Sequence, residues 1–199
     1  IYNRAKKLHI EVGVRRVVFL VESHETVEGA VQEALKEFFS SETGDFVTAV
    51  DEKNSIVVKE LSPEDTYTEV QKIADSMLDM LSSEAMLSTR VSYGTIVNEI
   101  KEVSRSYKEA KMALEVGKIF FVDRRIVAYN ALGIGRLIYQ LPIPLCKMFI
   151  KEIFADVSPD DFDEETLETI AKFFENNLNV SETSRQLFIH RNTLVYRLD

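Results

Sequence analysis

The sequence has very little of two features that mark secreted or membrane proteins. It carries a single cysteine, Cys146, among 199 residues, which excludes an internal disulfide and favours a reducing, cytoplasmic compartment. It also lacks a run of about 18 apolar residues, the length that a membrane-spanning helix needs. Cys146 lies in an apolar stretch, where a small buried hydrophobe is its expected role. With 45% hydrophobic residues, the chain can bury a substantial core in one or two domains.

Basic charge is also scarce, because the formal net charge of the chain is −9. That total argues against nucleic acid as a partner, but the distribution of charge matters more. Residues 156–175 carry a net charge of −7, whereas residues 176–199 carry +1. This weakly basic end predicts modest affinity for a polyanion from one copy. A homodimer, or contacts from further segments, would be needed for useful affinity.

The last stretch of the chain predicts two short helices joined by a tight corner. Asn179 or Ser181 can cap the first helix, because either side-chain oxygen accepts hydrogen bonds from free backbone N–H groups. Ser184 is small enough to let a second helix cross closely over it. Leu187 and Ile189 bracket the corner. The pattern predicts a helix-turn-helix, in which the second helix enters the major groove of DNA.

The second helix has an apolar and a polar side when successive residues are placed about 100° apart. Leu194, Val195 and Leu198 fall in one sector, which predicts a buried stripe. The other side contains no carboxylate, and all its side chains can exchange hydrogen bonds with base edges or phosphates. Its members are Asn192, Thr193, Tyr196 and Arg197. A solvated helical hairpin without a ligand remains the alternative interpretation of this pattern.

Two nearly continuous segments, NNLNVSETSRQL at 176–187 and HRNTLVYRL at 190–198, carry a family resemblance. They resemble the C-terminal helix-turn-helix of the PucR/CdaR family, which comprises bacterial transcription regulators, including sugar-diacid and purine-catabolism regulators. The resemblance implies a recognition helix over about residues 191–198 that continues beyond the end of this chain. It also implies a small-molecule effector bound upstream. Because the chain begins without a methionine and its last helix has no stop signal, we expect it to be a fragment of a longer protein.

Upstream of this motif, apolar patterning predicts an α/β domain. Strands are expected at 16–22, 46–50, 55–59, 88–93 and 126–129, because these runs are rich in β-branched residues. Helical spacing of apolar residues predicts helices from Val27 to about Ser40, over 70–81 and over 99–116, with Gly117 ending the last. The fold class is therefore an α/β (α+β) sandwich in the order β-α-β-β-α-β-α-β, followed by an all-α helix-turn-helix domain.

That order of elements resembles the GGDEF-like domain of the same family, as do the segments VSYG at 91–94 and SYKEAKMAL at 106–114. The resemblance gives four expected regions. Residues 1–15 form a linker helix from an upstream domain, 16–130 a degenerate GGDEF-like domain, 131–160 a helical connector broken by two prolines, and 161–199 the helix-turn-helix domain.

True GGDEF domains condense nucleoside triphosphates, so an enzyme is one hypothesis to test. Their hairpin between the middle strands offers glycines, because phosphates approach closely only where no Cβ intervenes. This chain has DEKNS at 51–55, without glycine, and strand residues 17–21 contain no aspartate for a metal ion. We therefore predict no enzyme activity and no catalytic residue. His9, His24 and His190 lack metal-ligand spacing, so no metal or cofactor is predicted.

The sequence therefore predicts a cytoplasmic DNA-binding transcription regulator that acts as a homodimer on operator duplexes. Arg185, His190 and Arg191 are expected to contact phosphates, and the polar side of the second helix is expected to reach the groove. Two alternatives stay open for single residues, since His190 can instead cap the second helix and Tyr196 can pack against the preceding helix. The α/β domain would serve dimerisation or signal relay. A protein-interaction module without DNA binding is the competing function.

Overall fold

The computed structural model describes residues 2–23, 29–39, 44–83, 86–155, 158 and 161–198. The chain forms two compact units, residues 1–140 and 141–199. The boundary lies inside the stretch 131–160 that was expected to be a connector. Among the described residues, no helix is both long and apolar enough to cross a membrane.

Unit 1 contains a five-stranded mixed sheet in the order β2-β3-β1-β4-β5. The strands are β1 (Arg15–Ser23), β2 (Phe46–Ala49), β3 (Asn54–Leu61), β4 (Thr89–Tyr93) and β5 (Ile126–Ala128). All neighbouring strands pair antiparallel except β4 and β5, which are parallel. β1 lies at the centre because its apolar run can be buried on both faces. The predicted mixed α/β sheet with helices is thereby confirmed.

Helices cover both faces of this sheet. The helices of this unit are α1 (Tyr2–Lys7), α2 (Ala30–Phe38), α3 (Tyr67–Ser83), α4 (Val103–Phe120, after a 3₁₀ turn at Ile100–Glu102) and α5 (Gly135–Tyr139), of which α2, α3 and α4 pack on the sheet. Alternate residues of a strand point to opposite faces. Val17, Phe19 and Val21 pack with α2 and α3, whereas Leu20 packs with Ala110 and other residues of α4. The expected start of α2 at Val27 and its expected end at Ser40 lie outside the described residues.

One predicted helix end is wrong. Gly117 was expected to terminate the long helix, but α4 continues to Phe120 and Gly117 is buried within it. A Cβ atom at Gly117 would lie 2.7 Å from a methyl carbon of Val127 on β5. The glycine is therefore explained by the close approach of α4 to the sheet, a contact between residues distant in sequence.

Unit 2 is helical in all of its described residues that have regular structure. It contains α6 (Ile143–Phe154), α7 (Glu164–Glu175), α8 (Val180–Gln186) and α9 (Arg191–Leu198). Pro142 precedes α6, and Pro144 lies in its first turn, where a missing backbone N–H costs no helical hydrogen bond. Cys146 on α6 is half-buried and not the fully buried hydrophobe that the sequence suggested.

Candidate nucleic-acid interface

The supporting helix of the motif, α7, begins at a charged cap. Asp163 accepts a hydrogen bond from the backbone N–H of Thr166 at 2.7 Å, and that bond holds the pKa of the Asp163 carboxyl below its ordinary value. Further along α7, Thr169 is buried and its hydroxyl donates to the backbone carbonyl of Glu165. α7 therefore presents an anchored, partly acidic surface on which the two following helices pack.

The helix α8 is capped by Asn179, which settles the choice that the sequence left between Asn179 and Ser181. The Asn179 side-chain oxygen accepts hydrogen bonds from the backbone N–H groups of Ser181 and Glu182, both at 3.1 Å. Thr183 and Ser184 are buried. The small Ser184 side chain permits the close crossing of helices that a helix-turn-helix requires, as predicted from the sequence.

The corner between α8 and α9 contains a residue that sequence reasoning missed. Phe188 has a φ of 56°, in the left-handed region, and 95% of its surface is exposed. Its neighbours Leu187 and Ile189, which the sequence placed at the corner, are both half-buried. The sequence pattern does not predict the exposure of Phe188, because an aromatic residue between two apolar neighbours is normally buried in a core.

His190 caps α9. Its Nδ1 atom accepts a hydrogen bond from the backbone N–H of Asn192 at 3.2 Å, which is the contact of an N-cap residue. With Nδ1 as acceptor, the neutral imidazole carries its hydrogen on Nε2. The cap interpretation of His190 is therefore realised in the structure. Because the residue is also exposed, Nε2 remains available as a donor.

The exposed side of α9 matches much of the predicted polar face. Arg191, Asn192, Thr193 and Tyr196 are all exposed. Within the described part of the chain, none of these four side chains has a hydrogen bond or ion pair to another residue. Tyr196 is 83% exposed, so it does not pack against the preceding helix. These groups form a carboxylate-free polar surface at the start of the helix, and we call the four residues the α9 polar face.

The buried side of α9 is narrower than the sequence indicated. Leu194 is fully buried and Leu198 is half-buried, as expected for the stripe. Val195, however, is 40% exposed, so its assignment to the buried stripe is wrong. Val195 is rotated about 100° around the helix axis from Leu194. The short helix α9 packs on its neighbours along a narrow strip centred on Leu194, and Val195 lies outside that strip.

Two of the arginines predicted to contact DNA already have acidic partners. Arg185 binds both carboxylate oxygens of Glu182 at 2.7 and 2.8 Å, one turn away on α8. This contact raises the pKa of Arg185 and lowers the pKa of Glu182. The Arg197 guanidinium lies 2.5 Å from a carboxylate oxygen of Glu165 and 3.5 Å from the Thr169 hydroxyl, both on α7. The polar side of α9 is thus divided between exposed residues and a half-buried Arg197.

The hairpin between β2 and β3 is the place where a GGDEF domain would approach phosphate. Here the Asp51 carboxylate accepts hydrogen bonds from the backbone N–H groups of Lys53 and Asn54, at 2.9 and 2.8 Å. These bonds, that from Lys53 first, hold the pKa of Asp51 below its ordinary value. Glu22, at the end of β1, binds Lys118 at 2.6 Å. Among the described residues, no cluster of His, Cys, Asp and Glu could hold a metal ion.

Comparison with known families covers most of the chain. Residues 1–116 match the GGDEF-like domain family, and residues 166–199 match the PucR C-terminal helix-turn-helix domain. The first match alone spans more than half of the 199 residues. It contains β1 to β4 and most of α4, whereas the second contains α8, α9 and nearly all of α7.

Three relatives are named as regulators. The chain is 26% identical to the purine catabolism regulatory protein of Bacillus subtilis (strain 168) over 152 residues, which are 74% of this chain and 29% of the relative. It is 30% identical to the carbohydrate diacid regulator of Escherichia coli (strain K12) over 129 residues, 65% of this chain and 34% of the relative. It is 24% identical to the DNA-binding transcriptional activator AdeR of Bacillus subtilis (strain 168) over 166 residues, 76% of this chain and 37% of the relative.

The matched regions span about a third of the length of these curated relatives. The order of domains is the one that the sequence resemblance implied, with the GGDEF-like domain first and the PucR-type motif at the C-terminal end. The chain therefore belongs to the PucR/CdaR family of transcription regulators.

Proposed function

We propose that this chain binds double-stranded operator DNA through the start of α9, as the DNA-binding portion of a bacterial transcription regulator. One observation carries the proposal: the α9 polar face is exposed, carries no carboxylate and has no partner within the described residues. Polar side chains left without partners on a recognition helix are available for base edges and phosphates. Membership of a regulator family supports the same conclusion.

The residues at the corner and at the first turn of α9 are assigned to phosphate contacts. Arg191 is exposed and has no acidic partner among the described residues, so it can pair with a phosphate at no internal cost. The Nε2–H of His190 and the Arg185 guanidinium would join it. Arg185 must share its charge with Glu182, so its contribution should be smaller than that of Arg191.

Asn192, Thr193 and Tyr196 are assigned to the groove. An asparagine amide can bond an adenine edge at two atoms, and a threonine offers both a hydroxyl and a methyl group to a base. Tyr196 lies one turn after Asn192, so both side chains project from the same side of α9. Specificity should therefore depend most on Asn192, because it alone of the three can make a bidentate base contact.

Arg197 was predicted to reach the groove, but its contacts favour a different role. Its guanidinium is engaged by Glu165 and lies next to the buried Thr169, on α7. To contact a base, it would have to leave an ion pair that joins the recognition helix to its support. We assign Arg197 to positioning α9 against α7, so that it affects DNA affinity through the orientation of the helix.

Unit 1 is assigned to signal relay without catalysis. The β2–β3 hairpin carries no glycine, and Asp51 is engaged by the backbone of its own turn. Incubation of the chain with GTP and Mg²⁺ should therefore yield no cyclic dinucleotide. An effector bound elsewhere in the whole protein would act through this unit, in the cytoplasm, on the spacing of two recognition helices in a homodimer. Half-sites for such dimers lie about 34 Å apart.

The test of DNA binding is a titration at two salt concentrations. Duplexes selected from a randomised pool, and an unrelated duplex, are titrated with the chain and with Arg191→Ala. The logarithm of the affinity should fall steeply with the logarithm of the salt concentration. Arg191→Ala should make that slope shallower by about one, which corresponds to the loss of one phosphate contact. Arg105→Ala, an exposed arginine of α4, is the matched control and should leave the slope unchanged.

The competing function gives a different result in the same experiment. If α8 and α9 were a protein-docking surface, duplex binding would be absent, or equally weak for Arg191→Ala, Arg105→Ala and the parent chain. Either outcome would refute the assignment of the α9 polar face to DNA.

A further inference from the structure

We propose that α6 is the surface through which two copies of this chain associate. α6 contains twelve residues, Ile143–Phe154, all of them described, and none of them is buried. Eight of the twelve are apolar or cysteine, so the helix is far more hydrophobic than its exposure would suggest. A helix of this composition is normally buried in a core or an interface.

The exposed apolar surface of α6 is large for a single short helix. Six of its apolar side chains are more than two-fifths exposed: Ile143, Leu145, Met148, Phe149, Ile150 and Ile153. Four of them, Ile143, Phe149, Ile150 and Ile153, lie on one side of the helix and together expose on the order of several hundred Å², comparable to the largest apolar patch found on a typical monomer. A stable interface buries about 800 Å² on each partner. One α6 therefore supplies a major share of what a dimer needs, and flanking side chains would supply the remainder.

The charge distribution favours α6 over the acidic stretch that follows it as the place where two copies meet. The chain as a whole carries −9, and the stretch 156–175 alone carries −7, so two copies repel each other most strongly at that stretch. α6 itself carries two lysines and one glutamate, a net of +1. Because this charge is small, two copies meet at α6 with much less electrostatic repulsion than they would at the stretch 156–175.

The arrangement of residues around α6 leaves a continuous apolar side. With Ile143 at 0° and 100° per residue, Ile150, Ile153 and Phe149 fall at about 340°, 280° and 240°. Lys147 and Lys151 lie beyond the other edge, where they stay in water. A two-fold axis places the apolar side of one α6 against the same side of α6 in the second copy. Two such apolar surfaces can pack together without any additional polar contacts. Helices joined in this way pack by ridges and grooves.

The inference rests on the proposed function, because a helix-turn-helix that reads two half-sites needs two copies at a fixed spacing. α6 precedes α7, α8 and α9 in the same unit. Pairing at α6 would therefore join two helix-turn-helix motifs, and a change in that pairing would alter the spacing of the two α9 helices. The contact thus offers a place where regulation acts on DNA affinity.

The test is sedimentation equilibrium of the whole chain, without DNA, for the parent and two variants. The parent should be a dimer, and Phe149→Glu should raise the dissociation constant of the dimer at least about tenfold. Phe149 is 61% exposed, so the substitution should not disturb folding, which circular dichroism verifies. Ile119→Glu, at an apolar position of α4 that is 59% exposed, is the matched control and should leave the dimer intact.

Cysteine cross-linking supplies a second, independent measurement. Cys146 is the only cysteine of the chain and lies on α6, so a short bismaleimide should join two copies covalently in the parent and not in Phe149→Glu. A monomeric parent would overturn the proposal, since α6 would then not join two copies of the chain. A dimer that Phe149→Glu does not weaken would overturn it as well.

Failure of this inference can be separated from failure of the proposed function. An α6-dependent dimer that binds no duplex supports the association surface and refutes the DNA-binding assignment. A monomer that binds duplex with a slope sensitive to Arg191→Ala refutes the association surface and leaves the DNA-binding assignment intact.

Discussion

The β2–β3 hairpin and the start of α9 are both polar and exposed, yet they use their polar groups in opposite ways. At the hairpin, the Asp51 carboxylate is engaged by the backbone N–H groups of Lys53 and Asn54 and by the Asn54 side chain. At α9, the side chains of Arg191, Asn192 and Thr193 have no partner within the described residues. The first arrangement stabilises a turn, whereas the second leaves hydrogen-bonding capacity for a ligand.

This contrast indicates how a polar surface with a function can be told from one without. A hydrogen-bonding group that is engaged within its own turn contributes to folding and has little left for a ligand. A polar group held on a rigid helix, without an internal partner, can bind with little reorganisation. His190 connects the two cases, because Nδ1 is used to cap the helix while Nε2 stays available.

The largest effect is expected from removing the residue that holds α9 in place. Leu194→Ala should destabilise unit 2 by about 2–5 kcal/mol, because it leaves a cavity at the one buried position of α9. Val195→Ala, at the adjacent exposed position, is the control and should cost much less. Urea unfolding followed by probes in each unit measures both variants. Equal losses would show that Val195 is buried after all and that the polar face is misplaced.

A smaller effect is expected at the contact between α9 and α7. Arg197→Ala should weaken duplex binding by about tenfold, which corresponds to about 1.4 kcal/mol, through a less well-oriented helix. The charge reversal Glu165→Arg with Arg197→Glu should recover most of that affinity, because it rebuilds the ion pair. If Arg197 contacts DNA directly, the reversal places a carboxylate against phosphates, and binding should fall further. Anisotropy titrations of the three chains distinguish these results.

The cap of α8 should contribute about 1 kcal/mol. Asn179→Ala removes the acceptor of the Ser181 and Glu182 backbone N–H groups, and helix caps of this type stabilise by about that amount. Asn179→Asp should retain the stability, since its carboxylate accepts the same bonds. Ser181→Ala tests the alternative cap and should be nearly neutral. Thermal unfolding of unit 2 follows all three variants, and a larger loss for Ser181→Ala would contradict the assignment.

Several elements were predictable because their signals are local in sequence. β1 follows from a continuous apolar run with β-branched residues, which the sequence shows directly. The corner of the helix-turn-helix follows from one small residue, Ser184, between periodic apolar positions. In each case the residues that determine the structure lie within one or two turns of each other.

The features that the sequence did not predict came mainly from contacts between residues distant in sequence. Gly117 looked like a helix end because its partner, Val127, lies on a strand that folds back later. The ion pair of Arg197 was not predicted, because its partner, Glu165, lies 32 residues earlier. Val195 was predicted to be buried because the angular spacing of residues around a helix does not show how much of the helix surface is covered by the elements packed against it. Burial and pairing of this kind depend on packing, which sequence periodicity alone does not specify.

The smallest expected effect is a dependence on pH that belongs to the hairpin. In the folded chain, the hydrogen bond from the backbone N–H of Lys53 lowers the pKa of the Asp51 carboxyl. The stabilisation that the ionised carboxylate gives the turn is therefore fully present above the ordinary pKa of 3.8, and it is lost as the pH falls through the lowered pKa. Protection of the Lys53 and Asn54 amides from hydrogen exchange should therefore decrease between pH 5 and the acid side of that value. Asp51→Asn keeps an acceptor that does not titrate, and its protection should not change over this range.

The proposed DNA-binding role of α9 is tested most directly by a map of the backbone amides that respond when duplex DNA is added. Nitrogen-15 NMR spectra of the chain, titrated with a selected duplex at low and high salt, report every described region at once. If α9 binds DNA, salt-sensitive chemical-shift changes should centre on His190, Arg191, Asn192 and Thr193, and the signals of residues 51–55 should stay unchanged. Shifts centred on the hairpin, or a spectrum in which α9 does not respond to duplex, would contradict that role.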